Sequence, residues 1–441
     1  MTKQRFSATL AILFSILILP AICVAQTGEK TLSRITDPII IAGEKIPSLL
    51  GSATGSLRVY SATDDGVLEP IPYQIDERDA EGGLVFPFGP KSGADADPSF
   101  DANDELVFMS RDTGTRAARD AWPAGADCGV EITVSDPLDG STGYAYLLRF
   151  DNPPPRSETE YVQFIPGKSL IVSPNYETGF CPDATISFCN LTLTEKGGGD
   201  GSDYMDRLKI RARGTLRLVK AEIVKTETDF VSEVIAWIDG PVRVIRRSNN
   251  IMYLFWKIPS PGSLIDNVYY LDSFIFPTEV DVPFDLNMLL ADFKFRVSTD
   301  HNSHASGKRY ANANNPGGVI IDGVTSEAEK AMSDDPFDWM VVHGTREGGR
   351  GGWVNRIKFD AGLEARPYMF YNDDASTPEP PEDDPGQYGN TGFDVRNMHT
   401  LKQGVWRIES FMYNDPDYHP GDEIEYLNIL DHPLQVGISG M

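Results

Sequence analysis

The strongest constraint on this chain is a long series of short runs in which apolar and polar side chains alternate. Such runs fall at 56–61, 129–135, 143–150, 184–194, 208–213, 215–225, 230–238 and 242–247. A period of two places alternate side chains on opposite faces of an extended strand. Val, Ile, Thr and aromatic residues are enriched in these runs, as a pleated, half-buried surface favours. Gly, Pro, Asn and Asp interrupt them at short intervals. Helical spacing is scarce, with short candidates at 285–293 and 326–332. Strands in series with few crossover helices predict a mostly β protein, built as two antiparallel β-sandwich-like modules with few short helices.

Punctuation along the chain suggests how the modules divide. Pro153, Pro154 and Pro155 form a stiff break, because consecutive prolines favour an extended backbone. Gly197, Gly198, Gly199 and Gly201 read as a flexible loop or hinge. The expected organisation is an N-terminal module at 26–152, a connecting segment at 153–204 and a larger C-terminal module at 205–441. The Pro- and acid-rich stretch 377–389 reads as an exposed loop. Tyr-Asn-Asp occurs at 371–373 and again at 413–415. Two equivalent strand ends would give this repeat, and so would chance, since Asn and Asp are common in turns.

The first 25 residues have a different character. Lys3 and Arg5 precede an apolar run at 10–19, and Cys23-Val24-Ala25 supplies a small-residue exit. This is the layout of a secretory signal peptide cleaved after Ala25. Ile22 stands where a lipid-modified cysteine would need a small residue before it, so soluble export to the periplasm or medium is expected, without a transmembrane anchor. The formal net charge is −26, and losing Lys3 and Arg5 takes it to about −28. Such a surface repels nucleic acid and anionic lipid. In an oxidising compartment one disulfide is expected. Cys181 and Cys189 flank a short segment and are the preferred pair, which leaves Cys128 over.

Four places could carry chemistry. Asp95, Asp97, Asp101, Asn103 and Asp104 are dense in the short oxygen ligands that calcium takes. Their spacing misses the helix–loop–helix pattern, and an Asp-rich turn would use the same residues. Trp339, His343, Arg346 and Trp353 enclose a glycine-rich loop. Tryptophan faces can stack on sugar C–H groups while charged side chains bond the hydroxyls; two core tryptophans on a long hairpin are the structural alternative. His301 and His304 would bind a metal if they shared a helical face, but their Ser/Asn/Gly surroundings point to a solvated loop. Arg243, Arg246 and Arg247 sit on one strand, where an arginine could hold a carboxylate bidentately or pair across strands. No nucleophile motif or assignable catalytic acid pair stands out, so no catalytic residue is named.

Pro72-Tyr73-Gln74-Ile75-Asp76, followed by Asp104-Glu105-Leu106-Val107-Phe108, resembles the opening module of uncharacterised secreted bacterial β-sandwich proteins associated with polysaccharide processing. The likeness spans about 65–112. It implies a sandwich and an extracytoplasmic sugar context, and it transfers no catalytic residue. The functional expectation is therefore an exported acidic β-protein that recognises an extracellular carbohydrate, extending to lyase- or epimerase-like chemistry. The alternative is a non-catalytic cell-envelope or surface-assembly protein that mediates protein contacts. Calcium is the one cofactor the sequence suggests, and a polysaccharide the one partner.

Overall fold

The computed structural model describes residues 28–94, 97–255, 258–259, 263–345, 349–377, 379 and 386–440. The expected signal peptide, and Cys23 with it, lies outside the described residues. Within them the chain is mostly β, arranged in antiparallel sheets. The alternating runs form strands almost where the pattern puts them, as at Leu57–Ala62, Ala126–Ser135, Thr142–Phe150, Ala184–Leu193 and Phe230–Asp239.

The N-terminal part packs a three-stranded sheet against a five-stranded one. Ile39, Ile41, Leu57, Val59, Leu106, Phe108, Ile132 and Leu147 fill the space between them. One strand of the five comes from the far end of the chain: Gln435–Gly440 pairs antiparallel with Ala126–Ser135. The segment 205–441 therefore does not close on itself, and its last strand completes the first module. A four-stranded sheet follows the three prolines and ends at Ala184–Leu193. Within it Cys181 and Cys189 form a disulfide, and Cys128 is a free thiol.

Two further sheets face each other across the largest hydrophobic cluster. The small one has five strands and is centred on Met205–Leu216, Leu290–His301 and Asn390–Arg396. The large one has ten, among them Val244–Phe255, Ser263–Tyr269, Ser273–Val282, Gly404–Asp415 and Gly352–Phe359. A helix at Glu423–Asp431, absent from the sequence reading, covers the outer face of the large sheet. Its Tyr426 packs with Phe411 and Tyr413.

Three sequence expectations are corrected. The stretch 285–293 is a single 3-10 turn at Leu286–Met288 leading into a strand, so its apolar spacing serves a sheet. Gly197–Gly199 do lie in a loop, but it is tied to neighbouring chain rather than hinge-like. The Gly351 N–H donates to the Gly198 carbonyl at 2.9 Å, and a Cβ on Gly198 (φ +78°) would lie 1.8 Å from the Pro416 carbonyl oxygen, so glycine is used here for close approach. His301 is not solvated. It ends a strand, is 3% exposed, and bonds the Gly389 carbonyl through Nδ1 at 2.7 Å, whereas His304 is exposed as expected.

Candidate functional site: a cavity between the two sheets

The residues singled out in the sequence do not gather into one site. Trp353 pairs across strands with Val342, while Trp339 pairs with Arg356. Cross-strand partners share a face and successive residues alternate, so the two tryptophans point to opposite sides of the sheet. Trp353 is 2% exposed and packs against Tyr176 and Phe274, with ring centroids 5.2 and 4.9 Å away. Trp339 packs on the other side, in the cluster that contains Tyr413 and Tyr426. His343 is buried against Tyr418, with ring centroids 4.6 Å apart, and its Nδ1 meets the Gly344 carbonyl at 2.7 Å. Burial first, and then nearby cations, push its pKa below the ordinary histidine value. Arg346 lies outside the described residues.

The Asp-rich turn is built around Asp104. This residue is fully buried, and its carboxylate accepts the Arg78 N–H at 2.9 Å and the Asp101 N–H at 2.7 Å. Asn103 donates to the Asp79 carbonyl at 2.8 Å. Asp97 is exposed, and Asp95 lies outside the described residues. Among the described residues no three His, Cys, Asp or Glu side chains gather as a metal site. The turn thus ties backbone together, as short Asp and Asn side chains do.

The two segments that carry the family resemblance meet Arg243. Its guanidinium donates to Asp76 at 2.7 Å, to Glu105 at 2.5 Å and to the Tyr270 hydroxyl at 3.3 Å. Gln74 accepts the Val242 and Arg243 N–H groups at 3.1 and 2.8 Å, and donates to Asp76 at 2.8 Å. Burial pushes the Glu105 carboxyl up, but Arg243 and Arg78 outweigh that and hold it below its usual value. Here buried charges are paired and hydrogen-bonded, which makes this network a junction between modules.

Arg246 has no such company. It is fully buried, stacks over Phe180 at 3.4 Å and donates to the Thr185 carbonyl at 3.2 Å. Its Nε and Nη1 have no partner among the described residues. Burial lowers its pKa to about 10.

Between the small and large sheets lies a cavity of about 510 Å³, within the range of small-molecule sites. Its walls follow from strand alternation. On Met205–Leu216, Leu208, Ile210 and Ala212 face inward, and Lys209 faces out to an ion pair with Asp300 at 2.6 Å. Phe293, Phe295, Phe393 and Val395 continue that wall. Ile265, Phe276, Ile357, Ile408 and Met412 form the opposite one. Several of these rings and branches stay half-buried, because the sheets do not close upon them.

Within the apolar walls sit Asn250, Asn267, Asn355, Thr278 and Ser410. The three asparagines are 2, 5 and 7% exposed, and each amide oxygen lacks a hydrogen-bond partner among the described residues. Asn250 Nδ2 faces two backbone carbonyls, Ser248 at 3.5 Å and Ser263 at 3.4 Å, which can only accept, so the amide nitrogen lies there and the oxygen is the free acceptor. Buried acceptors left unpaired are costly; Asn190, Asn390 and Asn414 share this state elsewhere, and the cavity is set apart by having three of them in its walls. The ionisable residues lining the cavity, Glu279 and Asp281, are both exposed. No His, Lys, Arg, Cys or Tyr is among its described lining residues. Sequence reading missed this site because its walls look like any sheet interior. The available signal was polar: Ser248, Asn250, Asn267 and Asn355 occupy inward positions where alternation leads one to expect apolar side chains.

No family model matches the chain, and no curated protein matches it. Solved structures similar to it include carbohydrate-processing enzymes. An alpha-mannosidase from Enterococcus faecalis has 10% identity and a TM-score of 0.48 over 94% of this chain and 45% of its own. The alpha-N-acetylgalactosaminidase NagBb from Bifidobacterium bifidum, in complex with GalNAc, has 9% identity and a TM-score of 0.37 over 59% and 38%. A candidate aldose 1-epimerase from Klebsiella pneumoniae has 9% identity and a TM-score of 0.32 over 60% and 83%. The chain spans less than half the length of the mannosidase. At TM-scores below 0.5 these likenesses transfer no site, and the cavity stands on its own residues.

Proposed function

We propose that this protein binds a carbohydrate-bearing small molecule between its two facing sheets, without turning it over. The observation that carries the reading is the set of amide oxygens on Asn250, Asn267 and Asn355, without a partner among the described residues and set among aromatic and aliphatic walls. Sugar hydroxyls are donors that suit such acceptors, and Phe276, Phe293 and Phe295 offer faces for C–H groups. Binding is preferred to lyase or epimerase chemistry because the ionisable groups among the described lining residues, Glu279 and Asp281, are both solvent-exposed.

Calorimetric titration with glycosides that share one aglycone and differ only in the sugar, neutral and uronic, tests this. At least a tenfold preference among sugars is expected, and Asn250→Leu should abolish it, since a lost hydrogen bond of this kind is worth about 1–3 kcal/mol. Indifference to the sugar throughout the set would overturn the saccharide assignment.

A further inference from the structure

The cavity is far more apolar than a saccharide needs. Buried among Ile210, Phe295, Ile408 and Val395, sugar hydroxyls would lose their water without gaining partners. An alkyl surface loses nothing there and gains the burial. The cavity also opens at one identifiable end. Leu264 and Val405 line it and are themselves 53 and 63% exposed. Apolar exposure continues beyond them. The strand ending at Val282 pairs with the one starting at Gly404, and the turn that follows carries Phe284 and Met288, 42 and 73% exposed. Isolated exposed apolar residues are ordinary on a protein surface; these follow in the chain directly after the strand that pairs with the Val405 strand.

We propose that the ligand of this cavity carries an alkyl or acyl chain, which enters at the Leu264–Val405 end and lies along Phe276, Phe293, Phe295 and Ile408. This rests on the reading that the cavity is the binding site, and it narrows the ligand class to amphipathic molecules, the chain in the cavity and the hydroxylated end at the asparagines.

The test is a titration of one sugar head carrying alkyl chains from methyl to decyl, with the matching alkanols alongside, each below its micelle concentration. Burying one methylene is worth about 0.8 kcal/mol, so Kd should fall about fourfold per added methylene until the cavity is full. Val405→Lys, at an exposed position that faces Asp281 across the strands, should weaken the octyl member at least tenfold while leaving the thermal melt unchanged. A Kd that does not change with chain length overturns the inference, even if the sugar is still recognised. Alkanols that bind as tightly as glycosides, with the same slope, uphold the chain and overturn the saccharide reading. Absence of binding by both series overturns both.

Discussion

At the scale of single residues, Arg243 and Arg246 show that burying an arginine can mean opposite things. They stand three positions apart on one stretch of chain. Arg243 is surrounded by Asp76, Glu105 and Tyr270, so truncation leaves carboxylates buried without a cation. Arg243→Ala should cost about 3–5 kcal/mol in urea denaturation. Arg246 has a ring and one carbonyl for company. Replacing a poorly compensated buried ion by an apolar side chain of similar length is often neutral or stabilising. Arg246→Met should therefore stay within about 1 kcal/mol of the parent or exceed it.

A third residue gives a pH signature. Burial raises the pKa of Asp112 to about 6, against hydrogen bonding from Tyr161 at 2.6 Å. A carboxyl with a folded pKa above its unfolded value costs stability at every pH above about 6. The cost fades as pH falls from there towards the ordinary 3.8, because both states then hold the proton. Asp112→Asn keeps an acceptor for Tyr161 and carries no charge. It should raise stability by about 1–2 kcal/mol at pH 8, with the gain shrinking to little by pH 4. Denaturant melts across that range would show an equal gain at both ends if the carboxyl were not perturbed.

At the scale of elements, the Cys181–Cys189 bridge closes a short loop, with a sequence separation of 8. Constraining a loop of this size in the unfolded chain is worth about 2–3 kcal/mol. The double change to serine should lower stability by that amount in equilibrium unfolding. This pair was legible in the sequence because proximity along the chain limits the geometry. The strands were legible for a related reason: a period of two is a local signal and is set wherever one face is buried. Contacts made by distant residues were not legible. Nothing near Trp353 reveals that it faces Tyr176 and Phe274, and nothing near 435–440 reveals that it pairs with 130–135. The candidate site failed to appear for the same reason. Its walls are ordinary inward positions of many strands, and only tertiary spacing leaves a cavity between them. The Pro72–Asp76 and Asp104–Phe108 segments, which stood out by resemblance, share the task of holding Arg243 through Asp76 and Glu105.

At the scale of the whole molecule, two devices join the modules beside the Phe88–Trp237 backbone pairing and the Arg111–Asp272 ion pair. One is the Arg243 network, and the other is the returning strand Gln435–Gly440. Both make the N-terminal sandwich depend on chain that follows it. Calorimetry should record a single cooperative unfolding transition; two separated transitions would mean that the junction transmits little stability. The facing sheets, by contrast, are held apart along part of their length, and the asparagines within have unmet acceptors. A cavity in an otherwise closely packed interior is the feature most readily explained by a ligand.

That claim is tested most directly by saturation binding of a fluorescent apolar dye to the parent protein and to Ile408→Trp, which puts a bulkier ring into the cavity wall. The account predicts one saturable site, competition by an octyl glycoside, and at least a tenfold loss in the variant with its melt unchanged. Equal dye affinity in the two proteins, or no competition, would contradict it.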